Sequence, residues 1–370
     1  MSNPEQLPSE VICDSSPGER GVACPVQILE PRDVPLGGLR AMDVRRTLPQ
    51  RARSLIGAWC FLDHYGPDDV ALTGGMNVPA HPHIGLQTVS WLFSGEIEHR
   101  DSAGFHAMVR PGELNLMTAG RGISHSERST PSTTVLHGAQ LWIALPSGAR
   151  DGGKDFEHYA PPLIDGGGDS GWQAQVFLGS LLGERSPVRT CTALLGAEIR
   201  LEPGAVLEFE VDPAFEHGLL VDSGAASLSV RPVDGSANFD EDAPVAKNHL
   251  AYAPLGAAAL RISSTGAEPA RLLLLGGEPL GEQIVMWWNF IGRDHDEIVR
   301  ARTDWQAQIS QLGVADPAGD RDGRAADGGT GNGPGTGKAD PARFGLPQDE
   351  PEPPLPAPPL PIARLVPRRQ

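Results

Sequence analysis

The sequence predicts an all-β protein built from two β domains of similar size in tandem. Three observations carry this. Glycine (45) and proline (35) are abundant over 370 residues while aromatic residues make up only 5%, a balance that suits short strands joined by turns. Apolar stretches are brief and are broken by Gly, Pro or Asp, as in VQILE, SLIGAWCFLD, GLQTVSWLF, GELNLMTAG and AQLWIAL, which is the rhythm of barrel or sandwich strands. A hydrophobic fraction of 39% over this length fills two cores.

Residues 1–20 mix proline, serine and acidic groups without periodicity and are expected to form a loose tail, because they cannot bury enough apolar surface to offset their ordering entropy. The five strand candidates above fall in residues 21–162, the first domain. Residues 163–172, LIDGGGDSGW, are glycine-rich and polar and read as a linker. The β pattern resumes over residues 173–313. From Glu198 to Val211 two alternating strands flank a Pro203-Gly204 turn, with Leu207, Phe209 and Val211 on one face and Glu208 and Glu210 on the other, which predicts a hairpin. Strands follow at HGLLV, ASLSV, HLAYAPL, AALRIS and ARLLLLG. Asp294 and Glu297 have the spacing of an N-cap and its capping-box partner, and Ile298, Trp305, Ile309 and Leu312 recur at helical intervals before Gly313, so an amphipathic helix is expected there. Residues 314–370 are rich in Gly and Asp and then in Pro; they are expected to be disordered, with extended polyproline character at the end.

The formal net charge of −17 excludes a general polyanion binder, since releasing counterions from phosphates needs clustered Lys and Arg; no direct nucleic-acid contact is expected. Cys13, Cys24, Cys60 and Cys191 are scattered without a CxxC pair, as in thiols kept reduced in the cytosol. The N-terminus lacks the pattern of an export signal and no apolar run reaches the ~18 residues of a membrane span, so a cytoplasmic protein is expected.

The chemistry concentrates in two short motifs, His81-Pro82-His83 and His125-Ser126-Glu127. In a strand, residues i and i+2 point to the same face, so each motif presents two potential ligands together. Lone histidines are usually surface groups or hydrogen-bonded core groups. Two paired motifs, about forty residues apart in one β domain, favour a metal instead. Three neutral imidazoles and a carboxylate suit a divalent transition ion better than calcium or magnesium, and they leave coordination positions open for substrate.

Other polar residues receive blander readings. Glu98, His99, Arg100 and Asp101 read as the exposed end of a hairpin. His64, His106 and His137 are candidates to donate hydrogen bonds behind the ligands. His217 and His249 are unpaired, so no metal is expected in the second domain. Trp287 and Trp288 read as packing residues in an interdomain seam, and the proline-rich end as a solvated spacer.

The runs HPHIGLQTVSWLFSGEIEHRDSAG and PGELNLMTAGRGISHSE resemble the metal-binding half of the pirin family, and EPLGEQIVMWWNFIGR resembles the stretch before that family's last helix. The resemblance covers roughly residues 25 to 312. It implies two jelly-roll barrels of the cupin superfamily in one chain, with metal ligands at His81, His83, His125 and Glu127 and a metal-free second barrel that shapes the pocket mouth. Gln87 stands where cupins often have a glutamate, and Thr118 replaces a common proline; the four residues between Gly120 and His125 match the pirin spacing. The resemblance also implies one divalent ion, iron(II) first, with copper, manganese, nickel, cobalt and zinc as alternatives. The implied activity is insertion of dioxygen into a flavonol such as quercetin with release of carbon monoxide, with Glu127 taking the substrate's hydroxyl proton. The alternative it leaves open is a metal-bearing regulator that binds a transcription factor or enzyme partner without turnover. A monomer is expected.

Overall fold

The computed structural model describes residues 11–13, 26–36, 42–318, 339–340 and 342–361. Each half of the chain forms a seven-stranded and a four-stranded antiparallel sheet. In the first half the large sheet runs Asp155–Tyr159, Leu114–Thr118, Leu86–Ser94, Val135–Ala144, Trp59–Asp69, Met42–Leu48, Arg32–Leu36. Its small sheet runs Asn77–His83, Ile123–Ser129, Ile97–Asp101, His106–Val109. The second half repeats the plan, with Leu194–Leu201, Ala270–Gly277 and Glu216–Ser223 central in its large sheet. The all-β expectation of two tandem jelly-roll barrels followed by one long helix is met.

The two large sheets pack against each other, and this explains the leucine run of the Ala270–Gly277 strand. Leu272 and Leu274 fill the second barrel, while Leu273 and Leu275 turn to the seam with Trp59, Val89 and Trp91 of the first. A strand buried on both faces needs no polar alternation. Polar anchors lock the seam: Trp91 Nε1 donates to Glu198 at 2.7 Å, and Trp59 Nε1 donates to the Gly276 carbonyl at 3.1 Å.

Several expectations are corrected. Val11–Cys13, inside the supposed loose tail, pairs with Ile284–Trp287; residues 1–10 and 14–20 lie outside the described residues. Gln27–Leu29 joins the second half's large sheet beside Leu250–Ala253, so the chain enters the second barrel before building the first. Within 163–172, Ile164–Asp165 forms an edge strand against the Trp172–Leu178 strand. The strands flanking Pro203-Gly204 are not a hairpin: Leu194–Leu201 pairs with Ala270–Gly277, whereas Val206–Glu210 pairs with Ala257–Ser264 in the other sheet. Alternation predicts which face is wet, and Glu208 and Glu210 are indeed exposed, but it does not choose the partner strand.

The C-terminal helix is His295–Ser310, capped by Asp294, whose carboxylate accepts the Glu297 N–H at 2.8 Å. Ile298, Trp305 and Ile309 are buried, while Leu312 lies past the helix end and is exposed. The helix packs with Trp287, Phe290 and Ile84, against the end of the first barrel. Trp287 and Trp288 are buried packing residues there.

The proline-rich segment, expected to be solvated, is instead docked. Phe344 and Ala357 are fully buried in the helix cluster, and the Leu355 N–H donates to the Ala80 carbonyl at 2.8 Å. Proline removes N–H donors but not carbonyl acceptors, and the carbonyls are what this segment offers. Trp305 Nε1 donates to Leu355 O at 2.8 Å, Gln308 to Gly345 O at 2.7 Å and Arg302 to Pro358 O at 2.6 Å. The Gly/Asp-rich stretch 319–338 lies outside the described residues. Among the described residues, no helix is long and apolar enough to cross a membrane.

Candidate metal centre

The four expected ligands come from two neighbouring strands of the first barrel's small sheet. Asn77–His83 is the edge strand of that sheet, which is why it tolerates Pro79 and Pro82, neither able to donate to a ladder. Ile123–Ser129 lies beside it, with His125 opposite His81; between His125 and Glu127 the register shifts, so Glu127 faces Val78. On its other side runs Ile97–Asp101, with Asp101 opposite His125 and His99 opposite Glu127. His81, His83 and His125 are fully buried and Glu127 is 1% exposed.

The hydrogen bonds fix each ring's tautomer. His81 Nδ1 lies 3.0 Å from the Pro79 carbonyl and His83 Nδ1 lies 3.1 Å from the Asn289 carbonyl. A carbonyl only accepts, so each Nδ1 carries the proton and each Nε2 presents a bare lone pair. For His125 the reasoning runs through a second histidine. Asp101 accepts from His99 Nε2 at 3.4 Å, which leaves His99 Nδ1 to accept from His125 Nδ1 at 3.3 Å. His125 Nε2 is then unprotonated too.

Three lone pairs therefore converge. The donor atoms of His81, His83 and His125 lie within 4.8 Å of one another, the Nε2 atoms of His83 and His125 are 3.0 Å apart, and His81 Nε2 is buried with no hydrogen-bond partner among the described residues. Burial pushes His81 down to about 3, and it holds His83 and His125 well below the usual imidazole range as well, with the neighbouring imidazoles adding to the effect at these two. Protonation cannot relieve the crowding at neutral pH; a bound cation would. The residues present thus fit a transition ion.

Glu127 groups with His99 and His125 rather than with all three imidazoles, its donor atoms again within 4.8 Å of theirs. Ser90 Oγ stands 3.3 Å from Glu127 Oε1 and 2.9 Å from Gln140 Oε1. Tyr65 is buried with its hydroxyl unpartnered among the described residues. Burial, with the Glu127 carboxylate adding to it, raises its pKa well above that of a free phenol, so it stays a neutral donor. Gln87 pairs with Thr118 at 2.9 Å.

Several groups stand elsewhere than the sequence pattern predicts. His99 and Asp101 are buried, not the exposed end of a hairpin, while Glu98 and Arg100, which alternate with them, are half-buried. The signal was present: alternation from Ile97 puts His99 and Asp101 on the inner face. Of the three proposed supporting histidines, none stands behind a ligand. His106 is exposed and pairs with Glu98 at 2.7 Å. His64 and His137 sit on the seam, where Asp222 Oδ1 from the second barrel lies 2.7 Å and 2.6 Å from their Nε2 atoms. Arg45 Nε donates to His64 Nδ1 at 3.4 Å, which leaves the proton on Nε2 and makes His64 a donor to Asp222, not a ligand. Of the second-half histidines, His217 is buried and His249 is half-buried near Glu30.

The second half also reaches the centre directly. Phe290 bridges Ile84, and the Ile291 N–H donates to the Ile84 carbonyl at 3.1 Å. This close approach needs Gly85, at φ +69°, where a Cβ would stand 2.3 Å from the Ile291 carbonyl oxygen. Asn289 is thereby held over His83.

Comparison with known proteins agrees with this architecture over both barrels. The description of the pirin domain matches residues 41–143 and that of the pirin C-terminal cupin domain matches residues 196–310. A Pseudomonas aeruginosa protein named "Putative quercetin 2,3-dioxygenase PA1205" is 40% identical over 322 residues, covering 85% of this chain and 94% of its own length. A pirin-like protein of Caulobacter vibrioides is 33% identical, covering 73% of this chain and 90% of its own. Among solved structures, a quercetin 2,3-dioxygenase from Acinetobacter baumannii superposes with a TM-score of 0.74 at 32% identity, over 91% of this chain and 96% of that one. With two jelly-roll barrels, paired histidine motifs in the first and matches along both halves, the chain belongs to the pirin family of two-cupin proteins.

Proposed function

We propose that this chain is a metal-dependent dioxygenase that acts on a flavonol-type phenol, with His81, His83, His125 and Glu127 as the ligand set. The observation that carries the reading is the convergence of three unprotonated imidazole nitrogens beside a buried carboxylate. Relatives with the corresponding names, at 40% and 32% identity, support it. When bound, a divalent transition ion, iron(II) first in this reading, supplies a Lewis-acidic and redox-capable centre that acidifies a coordinated phenol. Glu127 is the group placed to accept the phenolic proton, and Ser90 steadies its carboxylate. Tyr65, kept neutral, offers a donor in the same buried interior. His99 and Asp101 hold His125 in the tautomer that coordinates. A reducing, cytoplasmic setting belongs to this reading, with Cys60 and Cys191 as free thiols.

The test loads the purified chain with iron(II), copper, manganese, nickel, cobalt or zinc in turn and follows quercetin loss and carbon monoxide release under air. Turnover with at least one metal that falls about 100-fold or more in Glu127→Gln, the usual reach of general-base loss, supports the reading. Metal binding without turnover above that variant rejects the dioxygenase and favours a regulatory pirin.

A further inference from the structure

The second barrel carries a solvent-open cavity of about 1060 Å³ that the metal centre does not use, lined by residues 179–181 and 185–195 with His217 at its wall. His217 is only 1% exposed, and neither ring nitrogen has a hydrogen-bond partner among the described residues. Burial lowers its pKa to about 4, so at neutral pH it offers one N–H donor and one lone pair. Leaving such groups buried and unmet costs about 1–3 kcal/mol each. Thr192 Oγ1 lines the same cavity and is also unpartnered.

The remaining walls narrow the chemistry of what would satisfy them. Arg185 and Arg189 line the cavity and are exposed. Arg189 also lies near Glu157, which accepts its backbone N–H; of the two carboxylates in the lining, Glu210 pairs with Arg231, and Asp212 accepts the Ala214 N–H at 2.9 Å. Phe215 supplies an aromatic face beside His217, at 6.2 Å between ring centroids. A neutral imidazole that both donates and accepts matches a hydroxyl, two guanidinium groups match a carboxylate, and the aromatic wall matches a ring.

We propose that this cavity binds a small phenolic carboxylic acid, with its hydroxyl on His217, its ring against Phe215 and its carboxylate at Arg185 and Arg189. The assignment is independent of the metal centre and of any activity there. It makes the second barrel a ligand-binding module in its own right.

4-Hydroxybenzoate is a suitable probe, because its single hydroxyl does not chelate metals. Titrated into the full chain by calorimetry, it is expected to saturate one site, with unchanged affinity in His83→Ala. His217→Leu and Arg189→Ala are each expected to weaken binding at least about tenfold. Benzoate, lacking the hydroxyl, should bind the native chain weakly and be indifferent to His217→Leu, a pattern that general damage to the barrel would not produce. Thermal melts of both variants verify folding. No saturable binding at millimolar probe, undiminished binding in His217→Leu, or loss of binding in His83→Ala would each overturn the proposal.

Discussion

His99 Nδ1 lies 3.3 Å from His125 Nδ1, and behind it Asp101 takes both the His99 Nε2–H and, on its other oxygen, the amides of Ala103 and Phe105 at 2.8 Å and 3.1 Å. The loop amides, the carboxylate and the two imidazoles form one chain of donors and acceptors that ends on a bare Nε2. Partners of this kind set the orientation and basicity of a metal-binding ring. His99→Leu is therefore expected to weaken metal binding by about 10- to 100-fold while leaving His81 and His83 in place. Competition titration against a chromophoric chelator measures this; an affinity within twofold of the native chain would remove His99 from the centre.

The same logic applies to His83, which is oriented by a carbonyl 206 residues away in sequence. That carbonyl cannot be mutated, but its seat can. Gly85→Ala drives a Cβ toward the Ile291 carbonyl, only 2.3 Å away, and should push the 284–292 hairpin off the first barrel. Metal affinity is expected to fall about tenfold or more, with a lower melting temperature. Native affinity in a folded Gly85→Ala chain would contradict the coupling.

Burial is also expected to make the metal-free chain sensitive to acid. His81 titrates near 3 in the folded chain against 6.5 when free, and His83 and His125 are displaced in the same direction. Between those limits the unfolded chain binds more protons than the folded one, so unfolding free energy rises with pH. This contribution is complete above about pH 6.5 and is lost as pH falls toward 3, at up to about 1.4 kcal/mol per pH unit for each group. Urea unfolding of the metal-free chain should give a lower midpoint at pH 5 than at pH 7, and the gradient should shrink in His125→Leu. An unchanged gradient in that variant would exclude these imidazoles as its source.

The docked C-terminal segment braces the outer face of the strands that carry the proposed ligands. Ser124 donates to the Gly345 carbonyl at 2.8 Å, Arg128 pairs with Glu350 at 2.7 Å, and Ser126 hydrogen-bonds Glu350. These residues alternate with His125 and Glu127, which point inward. Phe344→Ala should cost about 3 kcal/mol or more, the range for emptying a buried aromatic site, read as a shift in the urea midpoint. A loss below about 0.5 kcal/mol, as for an exposed side chain, would mean that the segment is not seated in solution.

The clustering of the two histidine motifs is legible because strand geometry turns HxH and HxE directly into shared faces, and the helix because Asp294 and Glu297 mark its start. What escaped depends on long-range choices. The strands flanking Pro203-Gly204 carry correct alternation but go to different sheets. His99 was hidden by the charges of Glu98 and Arg100 on either side, although its parity with Ile97 marked it as inward. The tail looked unable to fold because its apolar content is low. Its order comes from backbone carbonyls meeting Arg302, Trp305 and Gln308, a pairing that composition does not reveal. The Asn289 carbonyl has no side-chain signature at all.

On this reading three imidazoles of the first barrel hold one ion. Metal content of the purified chain, measured by plasma mass spectrometry after reconstitution and desalting, tests it most directly alongside His81→Ala, His83→Ala and His125→Ala. One transition ion per native chain is expected, with loss of most of it in each variant and the fold retained by circular dichroism. Equal metal content in the native chain and all three variants would contradict it.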